Sequence, residues 1–270
     1  VSQAPSAETG IYDALASSVR AGSPAALATV LNGPGVGAKL LVRTGAAALG
    51  SLGDPDLDRV VARDAGGELA AGTARVRHYG PEGQARRDEV AVFIESFVAP
   101  PQMIIFGAVD FTAALARVAK VLGYRVTVCD ARAVFATAAR FPGADEVVVD
   151  WPDRFLQRVG PSLTARDAIC VLTHDAKFDV PAIVAGLGTA VGYLGAMGSR
   201  RTDRDRVRRL REAGVTEAGI ARVRAPIGLA IGARSPEETA VSICAEIIAT
   251  RAGLTDIRPL QAVEGPIHQR

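Results

Sequence analysis

From Met103 onward, short β-branched apolar runs alternate with stretches in which apolar residues recur every three or four positions. That alternation suits a parallel sheet with crossover helices, whose strands are buried on both faces and whose helices cover them. The apolar runs predict strands over Met103–Phe106, Arg125–Cys129, Glu146–Val149, Ala168–Leu172 and Val191–Leu194. Between the first two, Leu115, Val118, Ala119 and Leu122 share one helical face, and Gly123 stops the helix expected over Phe111–Leu122. Ser235-Pro-Glu-Glu238 is a capping box with proline at the first helical position, so a helix of roughly four turns is expected to reach about Ala252.

The first hundred residues follow another pattern. A helix is expected near Ala7–Arg20, then short strands around Leu27–Val30, Lys39–Arg43 and Glu68–Thr73, with a closing strand at Val90–Phe97. Gly33-Pro-Gly35 and Gly80-Pro81 mark turns. Pro100-Pro101 favours an extended connection and is a natural junction. The expected organisation is therefore α/β: a smaller N-terminal α+β domain over 1–100, a parallel-sheet domain over 101–252, and a loosely attached tail over 253–270. No internal repeat is present.

Composition narrows the function classes. Of 270 residues, 49% are hydrophobic and 22% charged, ordinary values for a globular chain long enough for two domains. A formal net charge of +2 gives no electrostatic case for nucleic acid. No apolar run approaches the roughly 18 residues of a membrane span, and the N-terminus lacks a basic region followed by an apolar one; a soluble, cytoplasmic protein is expected. Cys129, Cys170 and Cys244 are odd in number and embedded in apolar runs, which fits buried free thiols. With only His78, His174 and His268 besides, a protein-built transition-metal site is not expected.

Candidate chemistry gathers where the predicted strands end. Met103-Ile-Ile-Phe106 runs into Gly107-Ala-Val-Asp-Phe-Thr112, a nucleotide-binding strand, turn and helix that keeps only the first glycine of Gly-x-Gly-x-x-Gly. Val109 stands where the backbone must approach a pyrophosphate, Thr112 where a third glycine packs helix on strand, and the Asp110 carboxylate repels an anion. Asp130, 23 residues after Gly107, is placed either to bind ribose hydroxyls or to cap the following turn. Thr173-His174-Asp175 follows the fourth strand, at the edge where open α/β sheets bind ligands; His174 is a candidate acid or base with Asp175 to orient it, or the three form a polar turn. Gly198-Ser199-Arg200-Arg201 ends the fifth strand with an N-cap serine and two arginines in a first helical turn. Backbone N–H groups and guanidinium forks there suit a phosphate, and positive charge at that terminus opposes the helix dipole. Seven arginines lie between Arg200 and Arg211, most of them on a solvated face; the first two are the candidate anion ligands.

Several segments together resemble the XdhC/CoxI family of accessory proteins for molybdenum hydroxylases such as xanthine dehydrogenase. They are Val92-Phe-Ile-Glu95, Leu122-Gly-Tyr-Arg-Val-Thr-Val128, Arg140-Phe-Pro-Gly-Ala-Asp-Glu146, Leu172-Thr-His-Asp175, Tyr193-Leu-Gly-Ala-Met-Gly-Ser-Arg-Arg-Thr202 and Ala225-Pro-Ile-Gly-Leu-Ala-Ile-Gly-Ala-Arg-Ser-Pro-Glu-Glu238. Val36-Gly-Ala-Lys-Leu-Leu-Val42 extends the resemblance into the N-terminal domain. It implies a Rossmann-type C-terminal domain, and a protein that binds molybdenum cofactor (molybdopterin) and delivers it, with a terminal sulfur, to a molybdenum hydroxylase apo-enzyme. A cysteine desulfurase partner and a homo-oligomer are implied as well. Two departures stand out. The family's first turn resembles Gly-Ala-Gly-His-Val where this chain has Gly107-Ala-Val-Asp-Phe111, and its Gly-Ser-x-Ser-Gly-Gly-Cys segment is matched here by Gly50-Ser-Leu-Gly-Asp-Pro55, without cysteine.

The leading expectation is a cofactor-binding accessory protein rather than an enzyme. Gly107, Thr112, Asp130, Thr173, His174, Asp175, Gly198, Ser199, Arg200 and Arg201 are its candidate binding residues; no catalytic residue and no metal ligand is assigned. The alternatives are an NAD(P)-dependent oxidoreductase, favoured by Asp130 and opposed by Val109, and a regulatory nucleotide sensor.

Overall fold

The computed structural model describes residues 7–84 and 87–265. No helix among them is long and apolar enough to cross a membrane. The chain divides into two compact units, residues 1–99 and 100–270.

The first unit runs α1 (Ala7–Arg20), β1 (Ala25–Asn32), β2 (Lys39–Arg43), β3 (Leu49–Ser51), α2 (Pro55–Ala71), β4 (Ala74–Tyr79) and β5 (Val90–Phe97). Its antiparallel sheet has the order β3-β2-β1-β5-β4. Alternation puts Ala26, Ala28 and Val30 of β1 and Val90, Val92 and Ile94 of β5 on one face, where Leu57, Val61 and Ala65 of α2 cover them at four-residue spacing. Ala25 and Leu41 face the other way and meet Ile11 of α1.

One expectation fails here. Glu68–Thr73 is not a strand but the last turn of α2 and its exit. Asp54 accepts from the Asp56 and Leu57 amides and Pro55 opens the helix, which runs on through Gly66 and Gly67 until Gly72 caps it at φ 67. The two interior glycines hide the helical period, and the strand begins only at Ala74.

The second unit runs β6 (Gln102–Phe106), α3 (Asp110–Val121), β7 (Arg125–Cys129), β8 (Glu146–Val148), α4 (Pro152–Val159), β9 (Ala168–Val171), α5 (Ala176–Leu187), β10 (Tyr193–Ala196), α6 (Arg200–Glu212), α7 (Glu217–Arg222), β11 (Val223–Arg224) and α8 (Pro236–Arg251). The six strands are all parallel in the order β11-β10-β9-β6-β7-β8. Numbered within the unit, this is the doubly wound order 3-2-1-4-5-6, which reverses between β6 and β9 and opens a crevice at their carboxyl ends. Met103 and Ile105 face Leu115 of α3 and Ile243 and Ile247 of α8; Ile104 and Phe106 face Phe155 of α4, Ile183 of α5 and Leu210 of α6. Helices therefore cover both faces.

The capping box at Ser235 is formed as expected, with Ser235 and Glu238 each bonded to the other's backbone amide. The strand expected over Val191–Leu194 lies two residues later. Gly192 is still in a turn, its amide donating to the Asp167 carbonyl, and a Cβ on it would stand 2.1 Å from the Ala165 carbonyl oxygen. The shift ends β10 at Ala196, just before the Gly198-Ser199 turn. Residues 251–265 are exposed throughout.

Candidate functional site

All ten candidate residues belong to the second unit; seven of them lie in the turns and loops at the carboxyl edge of its sheet, Arg200 and Arg201 open α6 there, and Thr112 lies within α3. Gly107, directly after β6, has φ +112, and a Cβ there would stand 2.8 Å from Thr173 Cγ2 and 2.9 Å from its amide nitrogen. Only glycine lets the turns after β6 and β9 approach this closely. Thr112 is fully buried in α3, and its hydroxyl donates to the Gly107 carbonyl at 2.5 Å. It braces the turn and offers a ligand nothing. Val109 precedes α3 without a side-chain cap and packs against the core shared by α3 and α8. Asp110 is exposed, with Arg140 at 3.6 Å; Arg140 also donates to the Ala108 and Phe135 carbonyls, each at 3.2 Å.

Asp130 is 3% exposed and its carboxylate is saturated. One oxygen accepts from the Ala108 amide (2.7 Å) and an Arg132 terminal nitrogen (2.7 Å), the other from the Arg132 amide and Nε (2.9 Å each). A carboxylate has about four acceptor positions, and all are in use. Burial pushes the group up, but these bonds outweigh it and hold Asp130 below the ordinary carboxylate range. Ribose hydroxyls reach it only by displacing Arg132.

After β9, Thr173 is buried and donates to the buried Asp179 of α5. Burial pushes Asp179 up to about 6 although Arg206 opposes it. Asp175 caps α5, accepting from the Lys177 amide at 3.1 Å with the Lys177 ammonium at 3.2 Å. It therefore does not orient His174. That histidine is exposed and has no partner among the described residues.

After β10, Ser199 caps α6 by accepting from the Thr202 amide at 3.1 Å, and its hydroxyl lies 3.0 Å from that of Thr202. Arg200 and Arg201 are exposed and without partners among the described residues. Beneath the turn sits Arg206, 4% exposed, which donates to the Met197 carbonyl (2.5 Å) and reaches Asp179 (3.3 Å) and Asp203 (3.5 Å). Its Nε has no partner. A Cβ on Gly198 would stand 3.3 Å from an Arg206 terminal nitrogen, so the turn rests on the guanidinium.

Sequence reasoning missed Arg132, Arg140, Asp179 and Arg206. For Arg206 a signal was available: it lies four residues before Leu210, on the helix face that packs inward, while the other arginines share the outer face. A groove of about 650 Å³, bordered by Leu156, Pro161, Pro181 and Val184, opens where α4 and α5 end, at the opposite edge from these residues.

The family described as the XdhC Rossmann domain matches residues 103–247, and that described as XdhC and CoxI matches residues 18–80. The chain belongs to the XdhC and CoxI family. It is 34% identical over 160 residues to a probable xanthine dehydrogenase subunit of Bacillus subtilis strain 168, covering 59% of this chain and 46% of that protein. Uncharacterized protein YqeB of Escherichia coli K12 is 30% identical over 219 residues, 78% of this chain and 40% of its own length. The molybdenum cofactor insertion chaperone PaoD of the same organism is 31% identical over 99 residues, 37% of this chain and 31% of its own. The chain thus spans less than half the length of these curated relatives. Among solved structures, a xanthine dehydrogenase from Bacillus halodurans superposes with TM-score 0.51 at 19% identity, over 88% of this chain and 93% of that one, a likeness of fold.

In this member of the XdhC and CoxI family the thiols are closed off from chemistry. Cys129, Cys170 and Cys244 are free and buried, as their apolar surroundings suggested. Burial pushes Cys129 up to about 12, Cys244 up to about 11, and Cys170 well above the usual thiol range. None is a thiolate at neutral pH. The Gly50–Pro55 segment forms the entry to α2, with Ser51 accepting from the Gly53 amide and Asp54 capping the helix. Among the described residues no His, Cys, Asp and Glu group is placed to hold a metal ion; His268 lies outside them.

Proposed function

We propose that the chain is an accessory protein that holds molybdenum cofactor, a phosphate-bearing pterin, at the carboxyl edge of its parallel sheet and assists its insertion into a xanthine dehydrogenase or CO dehydrogenase type hydroxylase. The observation that carries this reading is the α6 N-terminus. Two unpartnered guanidinium groups stand there above a buried arginine whose Nε is orphaned, and such an orphan among donors fits an anion more readily than any other ligand class. Arg200, Arg201 and the Ser199 turn would hold the phosphate, and Thr173, His174 and Asp175 would border the pocket with Gly107 as its floor. The cofactor brings its own molybdenum, so the protein needs no metal-ligating cluster. Its relatives, among them a probable xanthine dehydrogenase subunit and a molybdenum cofactor insertion chaperone, support the same class of partner.

An NAD(P)-dependent oxidoreductase is the weaker reading, because Asp130 is saturated and Val109 fills the middle fingerprint position. Direct sulfur handling by this chain is also disfavoured, since its thiols are buried; a cysteine desulfurase would have to act on the bound cofactor. The remaining parts of the proposal are a cytoplasmic setting, a homo-oligomer, and ligand binding by residues 101–252 apart from the domain over 1–100 and the tail over 253–270.

Mass spectrometry of the natively purified protein should find a co-purified pterin and no dinucleotide. Arg200→Ala and Arg201→Ala should each weaken its retention by about 1.5–3 kcal/mol, the range for charged hydrogen bonds. Co-purified NAD(P), or robust substrate-dependent reduction of NAD(P), would overturn the proposal.

A further inference from the structure

Beyond the β7 and β8 ends, the same edge carries a row of closely packed aromatic and guanidinium groups that the phosphate site does not use. The Arg132 guanidinium carbon lies 4.8 Å from the centre of the Phe135 ring and 5.8 Å from that of Phe178. Trp151 continues the row, its ring centre 5.0 Å from that of Phe178 at 46°. The Lys177 ammonium stands 4.8 Å from the Phe178 centre, and the Arg140 guanidinium 5.7 Å from that of Phe135. These residues come from the loops after β7 and β8 and from the first turn of α5, so the row is made by the fold and not by one stretch of chain. Phe178 is buried, whereas Phe135 and Trp151 remain 41% and 40% exposed at the two ends.

The chemistry of this surface follows from what is already engaged. Arg132 directs its Nε and one terminal nitrogen at Asp130, which neutralises much of its charge and uses two of its five N–H donors. What the row still offers a ligand are the exposed parts of the Phe135 and Trp151 rings and of the Arg132 guanidinium, with the Lys177 and Arg140 cations beside them. Such a surface suits a planar heteroaromatic ring, since stacking on aromatic and guanidinium planes needs no hydrogen-bond acceptor from the protein. Isolated exposed aromatic residues need no explanation, but a ring, a guanidinium, a second ring and an indole in sequence at the ligand-binding edge of a doubly wound sheet do.

Position adds a second argument. Trp151 immediately precedes α4 and Phe178 lies in the first turn of α5, helices on the sheet face that α6 also covers. In the sheet β10 and β7 are separated by β9 and β6, so the α6 N-terminus and the end of β7 are about 14 Å apart at the usual strand spacing. The exposed His174 follows the intervening β9.

We propose that Phe135, Arg132 and Trp151, backed by the buried Phe178, form the seat of a bicyclic heteroaromatic ring, a pterin or purine, whose phosphate-bearing side chain runs past His174 toward Arg200 and Arg201. The phosphate end rests on the function proposed above; the ring seat does not.

Trp151 is the only tryptophan of the chain, so its fluorescence reports on this seat directly. Titration with 6-hydroxymethylpterin, which lacks phosphate, should quench it saturably after correction for ligand absorption. Phe135→Leu, which keeps apolar bulk without the ring, should weaken this binding about tenfold, within the range for losing one aromatic stacking partner, whereas Phe135→Tyr should retain it. Thermal midpoints identify any variant that fails to fold. The Arg200→Ala/Arg201→Ala double variant should bind 6-hydroxymethylpterin as the wild type does and lose the calorimetric heat of inorganic phosphate. Adenosine in a parallel titration distinguishes the sources: tighter binding of one ring assigns the seat to it. Quenching that stays linear in concentration, or equal affinity in Phe135→Leu, overturns the ring seat. If phosphate still binds through Arg200 and Arg201 in that case, the function proposed above stands without it.

Discussion

The two halves of one sheet edge behave differently. On the β6–β7 side, the polar groups that a dinucleotide uses are bound to each other: Asp130 to the Ala108 amide and to Arg132, and Thr112 to the Gly107 carbonyl. On the β9–β10 side, Arg200 and Arg201 face water unpartnered, with an orphaned nitrogen of Arg206 beneath them. The difference follows from burial. A carboxylate as enclosed as Asp130 must be compensated by charge and hydrogen bonds or lose its charge. Exposed arginines are solvated and stand unpaired at little cost. Exposed donors can therefore stay free for a ligand, as at Arg200 and Arg201, whereas the enclosed Asp130 cannot stand uncompensated.

The buried Arg206–Asp179 pair supports the open half and gives the largest expected effect. Arg206→Ala should destabilise the protein by about 3–5 kcal/mol, the usual result of removing one partner of a buried ion pair, and should free the Met197 turn. Urea denaturation measures this; a loss under about 1 kcal/mol, typical of a surface pair, would place the pair energetically at the surface and erase the contrast between its support and the arginines above it.

Asp179 also predicts a pH dependence. Its folded pKa, about 6, is above the ordinary carboxylate value, so between the two the folded state binds more protons than the unfolded state. Stability from this group is thus greatest below the ordinary carboxylate range and is lost as pH rises through about 6, by roughly 2–3 kcal/mol. Asp179→Asn removes the titrating group, so the difference in unfolding free energy between wild type and variant should slope across that window and level off above it. A flat difference curve would show that Arg206 keeps Asp179 ionised throughout.

On the closed half, Arg132→Ala should cost about 1–2 kcal/mol, discounted because its side chain is 42% exposed. The same change frees acceptors on Asp130. Combined with Val109→Gly it should convert this half toward a dinucleotide site, and calorimetry should find NAD(H) bound more tightly than by wild type. Equal affinity would mean that something other than these two residues closes the turn. The smallest effect lies on the open half, where Arg200→Ala or Arg201→Ala should leave the thermal midpoint unchanged or raise stability by a few tenths of a kcal/mol, roughly, by relieving the opposed helix dipole. A clear drop would make these arginines structural.

Much of the second unit was legible from its sequence, because parallel strands buried on both faces read as unbroken apolar runs and their helices carry clean caps. The strand after Arg125 and the helix after Ser235 are plain examples. Legibility failed where local signals conflicted, as at Glu68–Thr73, where Gly66 and Gly67 masked a helix set by Asp54 and Pro55. It failed also at Val191, where apolar residues precede a turn that only the approach of Ala165 enforces. For the site, the candidates were found by their place after strands, which is a property of order along the chain.

What the sequence alone determined was therefore the doubly wound class, the family likeness, and the gathering of Gly107, Asp130, Thr173–Asp175 and Gly198–Arg201 at strand ends, since all of these depend on local period and on neighbours in the chain. What only the tertiary structure decided was which of those groups remain available. Whether Asp130 is free depends on Arg132 folding back over it. The link between Asp179 and Arg206, 27 residues apart, and the packing of Phe135 and Trp151, from two loops, around Phe178 of α5, likewise depend on distances that no local pattern encodes.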